Sequence, residues 1–566
     1  MMASSRELKL VRFWPLSMGK NRNGWLLILP LLLFLVVFFL YPVCGLLMNA
    51  FGDGHFTLSH FARIFRVSVY RDVMLNTLSI SLMVTVLCVV LSYPIAYTMA
   101  TVSGRTRKLL FIVILLPFWT SSLVRTTAWI ILLQRNGVLN TLLTETGFIS
   151  HPIDFVYNLS GVLIGMTHVL MPFVVLPLYA SFRSLDTSVI RAAQGLGASP
   201  LTIFRKIILP LTSSGVLAGG LIVFMNSVGY YITPALMGGV KQTMIAQLIV
   251  DNITQELNWG FAAALSVMLL AIVISLFVLF QRCFGLERLM TGSGSKSQES
   301  FHIGDKRSFG GKLALWSTIP IGIFLIAPVV IVFPMSMGSS PFLTFPPTHL
   351  GFHWYQNFFE ASKWMKALFE SIKVALVTVV FATLIGTLAA VGIFRVQRGA
   401  RKFLETLFIL PMVVPIIILS IGLYYFLVPY GLVSTIWGLV IGHTILASPY
   451  VFITVRASLV SFDRNLEYAA RGLGASWWTF SRRVLLPSIV PGIIGGAVFA
   501  FITSFDDLVV ALFMTNVRSR TLPKLMYEGV AHEIDPTIIA ASGVIILVTI
   551  VVLVVNMLIS GRNRHG

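Results

Sequence analysis

Charge is what this sequence has least of. Only 11% of its 566 residues are Asp, Glu, Lys or Arg, against roughly a quarter in ordinary soluble domains. A soluble chain of this length folds as several domains, each with a charged surface, and too few charges are present to cover them. Acids are scarcer still, 21 against 41 Lys and Arg, for a net charge of +20. Cysteine is nearly missing, at three residues, which excludes a disulfide framework. Cys44 and Cys88 fall in apolar runs and Cys283 in a basic segment, and each reads as packing. The chain has no G-x-x-x-x-G-K-[ST] phosphate loop, and its Gly/Ser-rich stretch 292–297 lacks the Gly-Lys pair, so ATP hydrolysis is expected only on partners. His, Cys and acidic residues show no metal-ligand spacing.

What the sequence does have is apolar. Hydrophobic residues make up 57%, which excludes disorder and leaves an all-α integral membrane protein. The basic balance suggests nucleic acid at first sight, but the Lys and Arg residues sit in short loops between long apolar runs, so no nucleic-acid partner is expected. A bilayer core needs roughly 20 apolar residues per helix. Twelve runs qualify: about 25–49, 75–100, 109–133, 159–182, 213–236 and 259–281, then 313–335, 367–394, 403–428, 432–455, 488–512 and 536–560. Arg6, Lys9, Arg12, Lys20 and Arg22 precede the first run as in a signal peptide. The stretch from Trp25 to Met48 is too long for a cleaved one, no A-x-A site follows, and Val43-Cys44 is a poor lipoprotein site. It reads as a retained span. With both termini placed in the cytoplasm, 29 of the 41 Lys and Arg residues fall on the cytoplasmic side, the bias expected of a multi-pass protein.

The chain repeats itself. Ala192-Ala193-Gln194-Gly195-Leu196-Gly197-Ala198-Ser199 returns 277 residues later as Ala469-Ala470-Arg471-Gly472-Leu473-Gly474-Ala475-Ser476, and Leu209-Pro210 returns as Leu486-Pro487. Earlier in each half the offset is 294, pairing Lys108 and Pro117 with Lys402 and Pro411, so the first half carries 17 extra residues, placed near 134–157. Six spans is an even number, so both halves enter the membrane the same way, as a parallel repeat. The expected organisation is a first half at 1–281, a cytoplasmic linker at 282–312 and a second half at 313–566.

The most informative stretch lies on the cytoplasmic side between the fourth and fifth spans of each half. Asp186 is placed as an N-cap, Ala192 and Ala193 lie on a short helix, and Gly195 and Gly197 end it. Arg205-Lys206 and Pro210 lead back into the membrane. Asp463 through Pro487 repeats this design, with Glu467, Ala469, Ala470, Gly472 and Gly474 in it. A short helix followed by glycine suits docking into a partner's groove, because small residues permit close backbone approach. This repeated pattern resembles the coupling-helix signature of ABC importer permeases. That signature usually opens with Glu-Ala-Ala. Here Arg191 and Tyr468 stand in the Glu place, with Glu467 one position earlier.

The resemblance covers nearly the whole chain. Leu116-Pro117-Phe118-Trp119-Thr120-Ser121-Ser122-Leu123-Val124-Arg125, followed by Asn136-Gly137-Val138-Leu139-Asn140, looks like the first permease subunit of spermidine/putrescine importers. Trp354-Tyr355 and Ser504-Phe505-Asp506-Asp507 look like the second. Those subunits are normally separate chains and would be fused here. The resemblance implies the type I ABC importer fold in a bacterial inner membrane, with twelve transmembrane helices as two six-helix permease repeats. It also implies two cytoplasmic ATPase subunits carrying ATP and Mg, and a periplasmic substrate-binding protein. The chain would pass a polyamine or related amine inward by alternating access.

Charges at membrane depth are costly and face protein or a water-filled path. Arg125, Asp506 and Asp507 are the three candidates. A carboxylate pair in low dielectric attracts an amine cation; equally, one Asp could cap or bond a neighbouring helix, or pair with Arg125. Trp119, Thr120 and Ser121 in the third span, Asn226, Tyr230 and Tyr231 in the fifth, and Ser504 in the eleventh complete the expected substrate path. Aromatic faces beside carboxylates suit ammonium groups, though Tyr and Trp also populate interfacial belts. His168 reads as a helix–helix hydrogen bond. On the outer side, Asp251, Glu256, Glu528, Glu533, Asp535, Lys241, Arg518, Arg520 and Lys524 suit contact with a binding protein. The competing reading is an ion-coupled twelve-span secondary transporter, with Asp506-Asp507 as its coupling site. It leaves the twice-repeated Gly and Leu-Pro segment unexplained, and a structural or channel-forming protein explains it no better. Within the importer reading, ferric iron, thiamine and opines are alternative cargoes.

Overall fold

The computed structural model describes residues 22–52, 56–102, 104–284, 309–339, 347, 349–396, 398–532 and 535–562. The basic N-terminal residues 6–20, most of the linker at 282–312 and Glu533 lie outside them, as does the side chain of Cys283. The described chain is helical throughout, with one isolated bridge between Gly338 and Leu350.

Eight helices are long and apolar enough to cross a bilayer: Gly24–Phe51, Ser68–Thr101, Pro200–Val228, Trp259–Leu279, Ala314–Ser336, Ser362–Ile393, Ile436–Val460 and Trp477–Phe505. Three more runs are bent pairs: Gly104–Trp119 with Ser122–Glu145 at 100°, Leu159–Leu170 with Pro172–Arg183 at 47°, and Gly399–Val413 with Ile416–Tyr430 at 94°. With the last helix, Thr537–Arg562, these are the twelve expected runs, and they are named below by ordinal. Ser68–Thr101 has 34 residues and reaches about 51 Å at 1.5 Å per residue. It therefore projects beyond a hydrocarbon core of about 30 Å or tilts within it.

Several boundaries differ from the hydropathy reading. The third and ninth runs are not single straight spans. They turn sharply at Thr120–Ser121 and Val414–Pro415, and in the second the residue before Pro415 is itself disfavoured from helix. The fifth run stops at Val228 and resumes as Ile232–Met237; the eleventh stops at Phe505 and resumes as Val509–Met514. The segment after each coupling glycine is also helical much sooner than expected, from Pro200 and from Trp477. Each of these two helices contains a π turn, Phe204–Ile208 and Ser481–Leu485. Pro210 and Pro487 explain them: proline has no N–H to give and crowds the preceding turn, and one extra residue per turn absorbs the misfit. The third π turn, Val36–Leu40, likewise stands one residue before an X-Pro step, Tyr41-Pro42.

The two repeats exchange their first helices. Gly24–Phe51 packs on the second half, where a Cβ on Gly392 would meet Gly24 O and Ile28 Cγ1 at 2.8 Å, and one on Gly422 would meet Pro42 O at 3.1 Å. Ala314–Ser336 packs on the first half. Thr318 Oγ1 donates to Thr98 Oγ1 at 3.0 Å, Phe324 lies against Trp129 with ring centroids 5.2 Å apart, and His168 Nε2 bonds Leu325 O at 3.0 Å, the interhelical role read for His168. One apolar core accordingly runs from Ile28 to Ile546 across both halves.

Candidate functional site

A cavity of about 1070 Å³ lies between the halves. Its walls are made where helices break. Gly229 ends the fifth helix, and a Cβ there would meet Pro415 Cβ of the other half at 2.8 Å, so only glycine lets the two breaks approach this closely. The lining extends from Ser184 and Ser214, near one coupling helix, to Tyr231 and Val509 at the opposite end.

Trp119, Arg125, Asn226, Tyr230, Tyr231, Asp506 and Asp507 all line this cavity. Thr120, Ser121 and Ser504 are buried and are not part of its wall. Thr120 Oγ1 donates to Pro117 O at 2.9 Å within the bend. Ser121 O accepts from Arg125 Nε at 3.4 Å. Ser504 Oγ bonds His443 Nδ1 at 2.7 Å.

The two adjacent aspartates do different things. Asp507 Oδ2 accepts from Val510 N at 2.9 Å and Ala511 N at 3.2 Å, satisfying free amides at the start of Val509–Met514 as helix-capping side chains do. His443 Nε2 approaches the same oxygen to 3.3 Å, without hydrogen-bond alignment. Asp506 instead accepts from Ser122 N at 3.3 Å through Oδ2, while its Oδ1 is buried without a partner. Arg125 Nη1 is buried and unpartnered too, and the buried Tyr230 hydroxyl lies beside the Thr233 and Ser122 side chains. Among the described residues no ion pair within 4.0 Å joins Arg125 to Asp506, whereas shorter pairs exist elsewhere, such as Arg456–Glu405 at 3.0 Å. Buried polar atoms are nearly always bonded, and leaving one bare costs about 1–3 kcal/mol. The residues that carry these groups, Arg125, Tyr230 and Asp506, all line the one cavity. Asn226 Nδ2 donates to Ile222 O at 2.7 Å, which leaves its amide oxygen available.

Sequence reasoning missed Tyr450 and Phe499, which also line the cavity and stack on each other at 5.9 Å and 11°. It also missed His443. An aromatic or a lone His inside an apolar run carries no signal that separates a cavity wall from core.

The coupling segments are near-copies. Asp186 accepts from Ser188 N at 2.8 Å and Asp463 from Asn465 N at 2.9 Å; these bonds to Ser188 hold the Asp186 carboxyl below its ordinary range. The helices Thr187–Gly195 and Arg464–Gly472 follow. Each ends in a left-handed glycine, Gly197 at φ +75° and Gly474 at φ +78°. Ala198 N donates to Ala193 O, and Ala475 N to Ala470 O, both at 3.0 Å, the bond pattern of a Schellman C-cap. Between the glycines stand Leu196 and Leu473, 88% and 89% exposed, bare apolar tips on otherwise polar turns. Ala192 and Ala469 are exposed beside them, and Ala193 and Ala470 are half-buried. Gly195 and Gly472 have open space where a Cβ would stand, so nothing inside the chain requires them to be glycine. Glu467 pairs with Arg471 at 2.9 Å. The second segment is also clasped from outside, with Arg395 stacked on the Trp477 ring at 3.1 Å. Burial pushes this guanidinium down to about 10, so it keeps its charge at neutral pH.

The family model for "binding-protein-dependent transport system inner membrane component" matches twice, over residues 92–283 and 382–565. The chain belongs to this family. It is a permease of an ABC importer, a multi-pass protein of the bacterial inner membrane, with two permease repeats in one chain. Membership implies an ATPase and a binding protein as partners, and it displaces the secondary-transporter reading. Among relatives, the spermidine/putrescine transport system permease protein PotB of Escherichia coli is 39% identical over 224 residues, 40% of this chain and 81% of that protein. PotB of Haemophilus influenzae is 34% identical over 226 residues, 40% and 79%. The PotC permease protein of E. coli is 30% identical over 245 residues, 43% and 92%. A chain of a bacterial alginate ABC transporter superposes at TM-score 0.40 and 17% identity, over 47% of the permease and 96% of that chain, too weak a likeness to argue from.

Proposed function

We propose that the permease imports a polyamine or a related small amine, with Asp506 as the group that meets the ammonium. The supporting observation is an acidic side chain that lines the cavity and has no ion pair within 4.0 Å among the described residues, in a setting where an unscreened charge attracts a cation strongly. Trp119, Tyr230, Tyr231 and Tyr450 supply aromatic faces for the same cation. Asn226 offers a carbonyl. Arg125 sets the local field, while Asp507, with Ser504 behind it, holds the helix break in shape. The relatives' names agree with this cargo.

In this reading residues 1–281 and 313–566 are the two permease halves, joined by 282–312, with both termini in the cytoplasm. Two ATPase subunits dock at 186–204 and 463–481, where the exposed leucines and small residues fit a groove. ATP and Mg belong to those subunits and the chain itself does no covalent chemistry. A periplasmic binding protein delivers the cargo, and ATP-driven closure of the ATPases switches access across the cavity. Native mass spectrometry of the tagged chain from its own membranes tests the assembly, and ATP-dependent uptake of labelled putrescine tests the cargo. Two ATPase copies per chain with saturable uptake is the expected result. An absent ATPase, or uptake that follows the proton gradient and ignores ATP, contradicts it.

A further inference from the structure

The end of the cavity farthest from the coupling helices is spanned by two tyrosines. Tyr231 follows the break in the fifth helix of the first half; Tyr527 sits on Leu522–His532 of the second half. Their hydroxyls meet at 2.9 Å, with ring centroids 6.2 Å apart. Tyr231 lines the cavity, whereas Tyr527 does not, so the bonded pair stands at the cavity's end wall. Asp251, half-buried on Ile245–Thr254, is within electrostatic range of both hydroxyls and is not among the residues lining the cavity.

The pair has no symmetry mate. At the repeat offset of 277, Tyr231 corresponds to Leu508 and Tyr527 to Val250, both buried and apolar. Of the two equivalent pairs of positions, one carries a polar bond and the other holds only apolar side chains. Apolar contact is non-directional and tolerates sliding. A hydroxyl–hydroxyl bond is directional, and in a dry place its partners have no substitute until water enters. It is intact when the end wall is shut and lost when the halves part there.

We propose that Tyr231 and Tyr527 form a one-sided latch that holds the far end of the cavity shut, with Asp251 as the first charge an incoming cation meets beyond it. The latch deepens the importer reading and rests on it for the direction of transport. Breaking one hydrogen bond shifts a closed–open balance by about threefold to tenfold.

The test is solvent access, independent of substrate and ATPase. Cys44, Cys88 and Cys283 are replaced by Ser, and a reporter thiol is placed on the cavity wall as Met225→Cys. A membrane-impermeant maleimide is applied to right-side-out and inside-out vesicles. With both tyrosines present, labelling comes predominantly from the coupling-helix side. Tyr231→Phe and Tyr527→Phe, singly and together, should each raise the labelling rate from the far side by about threefold to tenfold, with no further gain in the double variant. Phe keeps the ring, so folding is preserved, and labelling from the coupling side verifies it. Unchanged far-side labelling in the double variant overturns the latch, even if putrescine uptake is confirmed. Loss of putrescine uptake with a normal labelling pattern overturns the cargo and leaves the latch standing.

Discussion

Asp506 and Asp507 are neighbours with opposite allegiances. Asp507 spends its Oδ2 on the amides of Val510 and Ala511, so it belongs to the fold; Asp506 keeps an oxygen bare. Replacing Asp507 with Ala should destabilise the permease by about 1–2 kcal/mol, the range for a lost helix cap. Asn, which still offers an acceptor, should cost only a few tenths of that. Thermal unfolding of detergent-solubilised protein checks both; equal melting of Asp507→Ala and the parent would remove the capping role. The sequence showed two acids at the end of an apolar run and could not separate them, because the separation depends on where the helix breaks. That break comes at Asp506–Leu508, within a run that hydropathy reads as continuous through 512. His443, Tyr450 and Phe499 were invisible for a related reason, since burial against a cavity and burial against core select the same residue types.

The coupling segment was the most legible element. Its caps, helices and terminal glycines stand where the repeated pattern placed them, because N-caps and left-handed glycines are local choices that tertiary packing does not override. The π turns were not legible, although Leu-Pro was, since a proline states a misfit without saying how the helix absorbs it. The two glycines of each segment should behave differently. Gly474 is left-handed at φ +78°, so Gly474→Ala strains the turn by about 1 kcal/mol and lowers the melting temperature slightly. Gly472 has open space beside it, so Gly472→Leu should melt as the parent does. It should nevertheless lose transport and retain less ATPase on purification, because the added side chain stands in the proposed docking surface. Full transport by folded Gly472→Leu would show that this glycine faces no partner.

At the scale of the molecule, the parallel repeat was readable from its offset, and the exchange of first helices was not. Apolar runs state that they need covering and do not state by which half. Because Gly24–Phe51 is seated on the second half and Ala314–Ser336 on the first, the halves should hold together without a covalent link. Residues 1–295 and 296–566 expressed as separate chains should co-purify, and removing 1–51 from the first should weaken the association. Fragments that purify apart would contradict this packing.

The central claim is that the carboxylate of Asp506 receives an ammonium in a cavity shared by both halves. Uptake of labelled putrescine by cells expressing the parent or Asp506→Asn, at matched membrane levels, tests it most directly. A charged hydrogen bond is worth about 1.5–3 kcal/mol, so uptake should fall roughly tenfold to a hundredfold while the melting temperature holds. Undiminished uptake by Asp506→Asn would contradict the account and leave amine selection to the binding protein alone.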